Sequence, residues 1–431
     1  MSEIREMIRE LCPDGVEFKK LGEIAKCYSG ATPKTNISNY WDNGTIPWMN
    51  SGEVNLGRVF QTEKKITQLG YDSCSTKMVP PHTVVVALAG QGKTRGTVAI
   101  TEIELCTNQS LCAIEVQQDI VNSYFLWHYL RGQYQTLRRI SSGDGTRGGL
   151  NQNMIRNFEI PVPPMAVQRK IVEILDNFSN LTAELEAELE ERKRQYEYYR
   201  NLLLTFNPVA NGAVTGGEHQ INDATENRGG LSVKWLALSE IGEMIKGSGI
   251  QKSDFVEQGL PCIHYGQLHT YYGTFAFRTK SFISKALFDR SKKAQHGDLI
   301  IATTSEDVEA CCKATAWLGE EEIAVSGDAH IFHHNQNPKY LAYFFQTENF
   351  AKQKRKYASG VKVVRVKGEQ LLKVIIPLPS LEEQQRIVDI LDRFETLTTD
   401  LQSGIPAEIA ARRQQYEYYR EQLLTFKRKA A

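Results

Sequence analysis

The stretch with the plainest chemical potential is Ala87-Leu88-Ala89-Gly90-Gln91-Gly92-Lys93-Thr94, which fits a permissive phosphate-loop pattern and follows an apolar run. A loop that cradles phosphate must feed its amides into a helix N-terminus. Here Arg95-Gly96-Thr97-Val98-Ala99-Ile100 follows, which reads as a strand, and no acidic strand end stands out as a magnesium ligand. The stretch is therefore expected to be a basic hairpin loop, from which Lys93 and Arg95 can reach a polyanion. The eight cysteines (12, 27, 74, 106, 112, 262, 311, 312) include no Cys-x-x-Cys pair and read as scattered reduced thiols, not a disulfide frame or zinc site. His330, His333 and His334 are explained by strand alternation. No metal and no cofactor is expected.

Asn337-Pro338-Lys339-Tyr340 resembles the Asn-Pro-Pro-Tyr motif of amino-methyltransferases, but it lacks the second proline and no glycine-rich cofactor loop precedes it. It reads as Asn-Pro opening a helix. No paired carboxylates with a lysine and no Ser/His/Asp set have a spacing that supports catalysis. The basic residues are more informative, although the chain as a whole balances 51 Lys and Arg against 51 Asp and Glu. Lys352, Lys354, Arg355, Lys356, Lys362, Arg365, Lys367 and Lys373 are opposed only by Glu369. In the first half Arg131, Arg138, Arg139, Arg147 and Arg156 face Asp144 alone. Each cluster runs from a helix end into a Gly/Ser loop, and two such loops at matching positions point to phosphate contact.

The matching positions belong to an internal repeat. Ile160-Pro161-Val162-Pro163 answers Ile376-Pro377-Leu378-Pro379, and the run Gln168–Asp176 answers Gln384–Asp392. Gln195-Tyr196-Glu197-Tyr198-Tyr199-Arg200 recurs without change as Gln415-Tyr416-Glu417-Tyr418-Tyr419-Arg420. Fainter echoes join Val84-Val85-Val86-Ala87 to Leu299-Ile300-Ile301-Ala302 and Ser142-Gly143 to Ser359-Gly360. The order is globular unit, long helix, globular unit, long helix. The expected boundaries are 1–160 and 161–206, then 207–376 (beginning with a glycine-rich connector over 207–232) and 377–431.

Short β-rich runs at Val84–Leu88, Val98–Ile100 and Leu111–Val116, with helices over Tyr124–Ile140 and Tyr340–Tyr357, make each globular unit mixed α and β. In the long helices Ile171, Ile174, Phe178, Leu181 and Leu185 step by three and four, a coiled-coil seam. The near-repeat Thr182–Leu189 inserts one step of four too many, a stutter. The second copy carries four extra residues around Ser403-Gly404-Ile405-Pro406, where proline should kink or break the helix. The seam takes Tyr196, Tyr199, Tyr416 and Tyr419 for packing. Glu197, Tyr198, Glu417 and Tyr418 fall off it and are free to meet a partner.

Together these features resemble the specificity (S) subunit of type I restriction–modification systems. The resemblance rests on the two Pro-x-Pro segments, the Gln-[Arg/Gln]-[Lys/Arg]-Ile-Val-[Glu/Asp]-Ile-Leu-Asp helix starts, the twin tyrosine runs and the tetrapeptide repeat at 182–189. It implies an α+β fold of two mixed α/β target-recognition domains separated by two long antiparallel coiled-coil helices with a pseudo-two-fold repeat. It also implies a non-catalytic cytoplasmic reader of a split, asymmetric site in double-stranded DNA. Two methyltransferase (modification) subunits would dock on the helices, restriction (helicase-nuclease) subunits would join, and no membrane would be involved. Lys93, Arg95, Arg147, Asn151 and Gln152 in the first unit, and Lys362, Arg365 and Lys367 in the second, are the expected DNA contacts. Arg and Asn/Gln suit bidentate base readout, whereas Lys more often meets phosphate. The competing expectations are a two-module scaffold that binds proteins or peptides, and an enzyme with its own methyltransferase or nuclease site.

Overall fold

The computed structural model of the chain describes residues 2–90, 94–141, 149–206, 233–360, 362–400 and 403–430. The 207–232 connector and part of each Gly/Ser loop lie outside the described residues. The chain divides into two compact units, one of Met1–Glu186 with Glu408–Ala431 and one of Ala187–Ala407.

The first unit is built on a five-stranded sheet in the order Ala25–Tyr28, Leu111–Val116, Val84–Ala87, Val98–Thr101, Arg58–Val59. Val84–Ala87 is buried along its whole length, as a β-branched run covered on both faces must be. All its pairings are antiparallel except the last, where Arg58 runs parallel beside Ile100. A four-stranded sheet of Lys64–Ile66, Ile46–Met49, Leu105–Thr107 and Met78–Val79 lies within the same unit. The unit is closed from the far end of the chain. The Val16 amide donates to the Lys427 carbonyl at 2.8 Å, and the Lys429 amide to the Val16 carbonyl at 2.9 Å. Tyr416, Leu423 and Leu424 sit in its core.

The second unit repeats the plan. Its main sheet runs Gly242–Lys246, Ala329–His334, Leu299–Ala302, Lys313–Trp317, Phe275–Ala276, again with only the last pair parallel. The pairs Glu17–Lys20 with Glu159–Val162 and Lys234–Ala237 with Ile375–Leu378 are the matching two-stranded ribbons that lead into the long helices.

One buried hydrogen-bond set recurs in both units. Gln168 is fully buried; its Oε1 accepts from the Asn122 amide at 2.8 Å, and its Nε2 donates to the carbonyls of Ile120 (3.0 Å) and Pro163 (2.8 Å). Gln384, also fully buried, accepts from the Asn337 amide at 3.0 Å and donates to the Pro379 carbonyl at 3.0 Å and Gln336 Oε1 at 2.9 Å. Asn122 and Asn337 in turn cap the helices Ser123–Gly132 and Pro338–Phe344. The first turn of each long helix is thus tied to the N-terminus of a core helix.

The central helix, Met165–Leu204, is continuous over 40 residues. Its counterpart is broken into Leu381–Thr399 and Ile405–Leu424. Gly404 lies so close to the end of the first piece that a Cβ would stand 2.6 Å from the Thr396 carbonyl oxygen, and Pro406 falls in the first turn of the next piece, where its missing amide costs nothing. Within the first unit Phe178 stacks on Tyr419 at 5.0 Å and Glu186 pairs with Arg413, so the helices there run antiparallel. In the second unit Tyr199 stacks on Phe394 at 5.5 Å.

The single helices expected over 124–140 and 340–357 are each two: Ser123–Gly132 with Tyr134–Ile140, and Pro338–Phe344 with Glu348–Arg355. Gly132 ends one, and the Thr347 hydroxyl starts another by accepting from the Phe350 amide.

An unsatisfied buried amide or carbonyl costs about 1–3 kcal/mol. Gln384→Ala strips a partner from the Asn337 amide and the Pro379 carbonyl, and should destabilise the second unit by roughly 2–3 kcal/mol. Urea unfolding followed by amide exchange in that unit reads the effect; an unshifted midpoint would show that the glutamine holds nothing.

Candidate nucleic-acid interface

In the second unit the sequence Val364-Arg365-Val366-Lys367 alternates. Val364 and Val366 are buried, while Arg365 and Lys367 are exposed. Arg365 belongs to a two-residue strand, Val364–Arg365, paired with Thr304–Ser305. A tight turn presents it: the Ser359 and Arg365 amides and carbonyls bond reciprocally at 3.0 and 2.8 Å across Gly360. Gly360 has φ +108°, and a Cβ there would meet the Val363 carbonyl oxygen at 2.1 Å, so the turn requires glycine.

Arg365, Lys367 and Lys246 line an open cavity of about 440 Å³ with Thr303, Thr304, Asp328, His330 and Glu369. Thr303 Oγ1 lies 2.9 Å from His330 Nδ1, and Thr304 Oγ1 donates to Asp328 at 3.3 Å. Burial, reinforced by the Lys246 charge, pushes the His330 imidazole below its ordinary value, which leaves it neutral near pH 7. The lining therefore sets Lys246, Arg365 and Lys367 against the carboxyl groups of Asp328 and Glu369, with hydroxyls and a neutral imidazole beside them; the excess of cations suits a phosphate and the mixed donors and acceptors suit a base edge. Lys362 is exposed two residues before the strand. Lys246 and the Thr303-Thr304 pair were missed from the sequence; the only signal was their place at the ends of strands.

In the first unit Lys93 and Arg147 lie outside the described residues. Arg95 sits half-buried in the turn between the antiparallel strands Val84–Ala87 and Val98–Thr101, so no helix N-terminus follows the glycines. Asn151 is exposed, but its Oδ1 caps Gln152–Arg156 by accepting from the Met154 amide at 2.9 Å. With that oxygen engaged in the cap, its amide nitrogen is the freer group to meet a ligand. Gln152, half-buried, begins that helix.

Several cations counted in the two basic clusters are engaged by the rest of the fold, and Lys354 is buried outright. Lys354 is 3% exposed and donates to the carbonyls of Glu309 (2.8 Å) and Cys311 (2.9 Å). Arg355 pairs with Glu309, and Arg156 donates to the Cys27 carbonyl at 2.8 Å. Arg131 lies 4.9 Å over the Trp127 ring and 5.1 Å over Tyr416. Of the exposed cations in the second cluster, Arg365 and Lys367 line the cavity, while Lys352, Lys356, Lys362 and Lys373 are exposed outside its lining.

The tyrosine runs divide largely as the seam requires, although Tyr199, expected to pack, is 41% exposed and only one face of its ring meets Phe394. Tyr196 and Tyr416 are buried, and the Tyr416 hydroxyl meets His128 Nδ1 at 2.8 Å while His128 Nε2 meets Asp176 at 3.0 Å. Tyr198 and Tyr418 are 63% and 57% exposed, each edge-on to the next tyrosine at 5.3 Å. Glu197 and Glu417 are exposed beside them. Among the described residues no cluster of three or more His, Cys, Asp or Glu is placed to hold a metal ion, and no helix is long and apolar enough to cross a membrane.

The sequence matches the family model for the type I restriction modification DNA specificity domain twice, over residues 13–192 and 233–411. The chain belongs to this family. Type I specificity subunits are accordingly its relatives. It is 28% identical over 442 residues to the EcoR124I/EcoR124II specificity subunit of Escherichia coli, covering 99% of this chain and 98% of that protein. A putative type I specificity subunit of Haemophilus influenzae is 29% identical over 329 residues, 71% of this chain and 73% of that one. Among solved structures, a chain from work on complex assembly and conformational transition of a type I R-M system has a TM-score of 0.61 at 18% identity, covering 96% of this chain and 98% of its own. The S subunit from M. genitalium has a TM-score of 0.52 at 12% identity, covering 95% and 96%. These two likenesses are of fold: mixed α/β domains with long helices between them.

Proposed function

We propose that this chain is the non-catalytic DNA-reading subunit of a cytoplasmic type I restriction–modification complex. Residues 1–160 and 207–376 each recognise one half of a split, asymmetric duplex site. The helices in 161–206 and 377–431 space them and dock two methyltransferase subunits, and restriction subunits join that assembly. The observation that carries this reading is the presence of two DNA specificity domains in one chain. The cationic cavity at Arg365 and Lys367 supports it, since its residues suit a nucleic-acid edge. Arg95, Asn151, Gln152 and the loop residues Lys93 and Arg147 are the proposed counterparts in the first unit, with Lys362 beside the cavity in the second. Glu197, Tyr198, Glu417 and Tyr418 are the proposed docking residues. No observation favours the two-module protein-binding scaffold.

Binding of duplex DNA by the chain with its methyltransferase partner should weaken steeply with salt. Lys367→Ala should lower affinity for all sequences and reduce the log–log salt slope by about 1, whereas Arg365→Ala should cost about 1–3 kcal/mol at one base pair of the second half-site. A salt-independent affinity would favour the scaffold instead. Deleting Glu186–Leu189 removes about 6 Å of helix, close to two base-pair steps of about 3.4 Å. Selection from random DNA should then return the same half-sites with a shorter gap; an unaltered gap sinks the ruler. Tyr198→Ala combined with Tyr418→Ala should impair methyltransferase assembly on a sizing column, and full assembly would reduce that face to plain surface.

A further inference from the structure

Cys311 and Cys312 are consecutive, and their sulfurs lie 3.8 Å apart. Both are 1% exposed, yet both line a cleft of about 380 Å³ whose wall also includes Thr274, Gln346 and Lys354 and whose edge includes the exposed Glu309. Cys312 has φ +65°, a conformation that a residue with a side chain seldom adopts. It is held there by its amide, which donates to the Ala302 carbonyl at 2.8 Å, and by the buried Lys354 ammonium on the Cys311 carbonyl. The two thiols are chemically unequal. The contact between the two sulfurs, helped by the Lys354 charge, holds Cys311 below the ordinary thiol range, and the same contact together with burial pushes Cys312 well above it. Of the two, Cys311 is the readier to lose its proton and attack.

Cys311 also touches the element that presents Arg365. Its thiol lies 3.5 Å from the Thr303 carbonyl and 3.9 Å from the Val364 carbonyl. Those residues adjoin and form the short pairing of Thr304–Ser305 with Val364–Arg365.

We propose that Cys311-Cys312 is an oxidation site for hydroperoxides, and that its disulfide withdraws the Cys311 thiol from Thr303 and Val364 and loosens the strand pair carrying Arg365. The Cys311 thiolate attacks a peroxide oxygen; the O–O bond breaks, an alcohol or water leaves after protonation, and a sulfenic acid forms. The Cys312 sulfur then displaces the hydroxyl, which departs as water with the Cys312 proton. The two thiols lose two electrons and the peroxide gains them. Consecutive Cα atoms stand about 3.8 Å apart, short of the roughly 4.4–6.8 Å usual across a disulfide. The bond is therefore strained and easily reduced, which makes the step reversible. An effect on DNA follows from the reading of Arg365 given above and rests on it.

The test treats the reduced full-length chain with hydrogen peroxide and maps its peptides without reduction. The peptide containing Cys311 and Cys312 should be lighter by two hydrogens and regain them in dithiothreitol. Amide exchange at residues 303–305 and 364–366 should rise several-fold in the oxidised protein, while Cys312→Ser should show no such rise and should leave a trappable sulfenic acid on Cys311. A peptide of unchanged mass, or a disulfide formed with unchanged exchange, overturns the proposal, and neither measurement needs the variant to fold. Affinity for DNA should fall on oxidation. If Arg365→Ala leaves DNA binding intact, the DNA reading of Arg365 fails, while mass and exchange still decide the thiol site.

Discussion

Each long helix begins on a glutamine that has no access to water. Gln168 and Gln384 satisfy both ends of their amides with backbone or side-chain partners from a neighbouring helix cap and the preceding proline turn. An amide buried in this way is expensive to leave unpaired, so the angle at which the helix leaves its unit is specified more tightly than apolar packing alone could manage. Apolar contacts add the bulk of the energy, with Ile171 and Ile387 fully buried one turn further on, each worth about 1.5–3 kcal/mol. What the polar set adds is direction at the root of each helix.

The repeat has been spent differently at its two kinds of position. Where the helices pack, the copies agree in ring geometry: Phe178 on Tyr419 and Phe394 on Tyr199 are both stacked, at 5.0 and 5.5 Å. Where the helix meets the globular unit, they diverge while keeping the task. His128 bonds Asp176 in the first unit, and Tyr343 bonds Asp392 at 2.7 Å in the second. The cation–π pair beside them even exchanges its members, with Arg58 over Tyr124 in one and Lys339 over Phe275 in the other. The edge strand carries the cation in the first case and the ring in the second.

The long-range plan was legible because it is written in local periodicity. The tyrosine register, the apolar runs at 84–87 and 299–302, and the proline break near 404–406 all follow from spacing within a few residues. The outward pair Arg365 and Lys367 was legible for the same reason, since Val364 and Val366 alternate with them. The cations engaged by the fold were not. Nothing near Lys354 in the chain announces that the carbonyls of Glu309 and Cys311 will surround it, and Arg131 gives no local sign of its ring partners. The four-stranded second sheet of the first unit was unread because its strands are two to four residues long and one pair is parallel, leaving no hairpin signature there. Asn151 carried two meanings, base reader and helix cap, and its place just before Gln152–Arg156 favoured the cap.

The ribbon that ties Val16 to Lys427 and Lys429 also sets an order of assembly. The second unit is made from one uninterrupted stretch of chain, Ala187–Ala407, whereas the first needs Glu408–Ala431 to fill its core. A ribosome adding about 5–20 residues per second therefore delivers the beginning of the first unit long before its last helix. The half that emerges first is the half completed last. Until then Phe178 lacks Tyr419 and His128 lacks Tyr416, so apolar surface meant for the chain's own end stays open during synthesis.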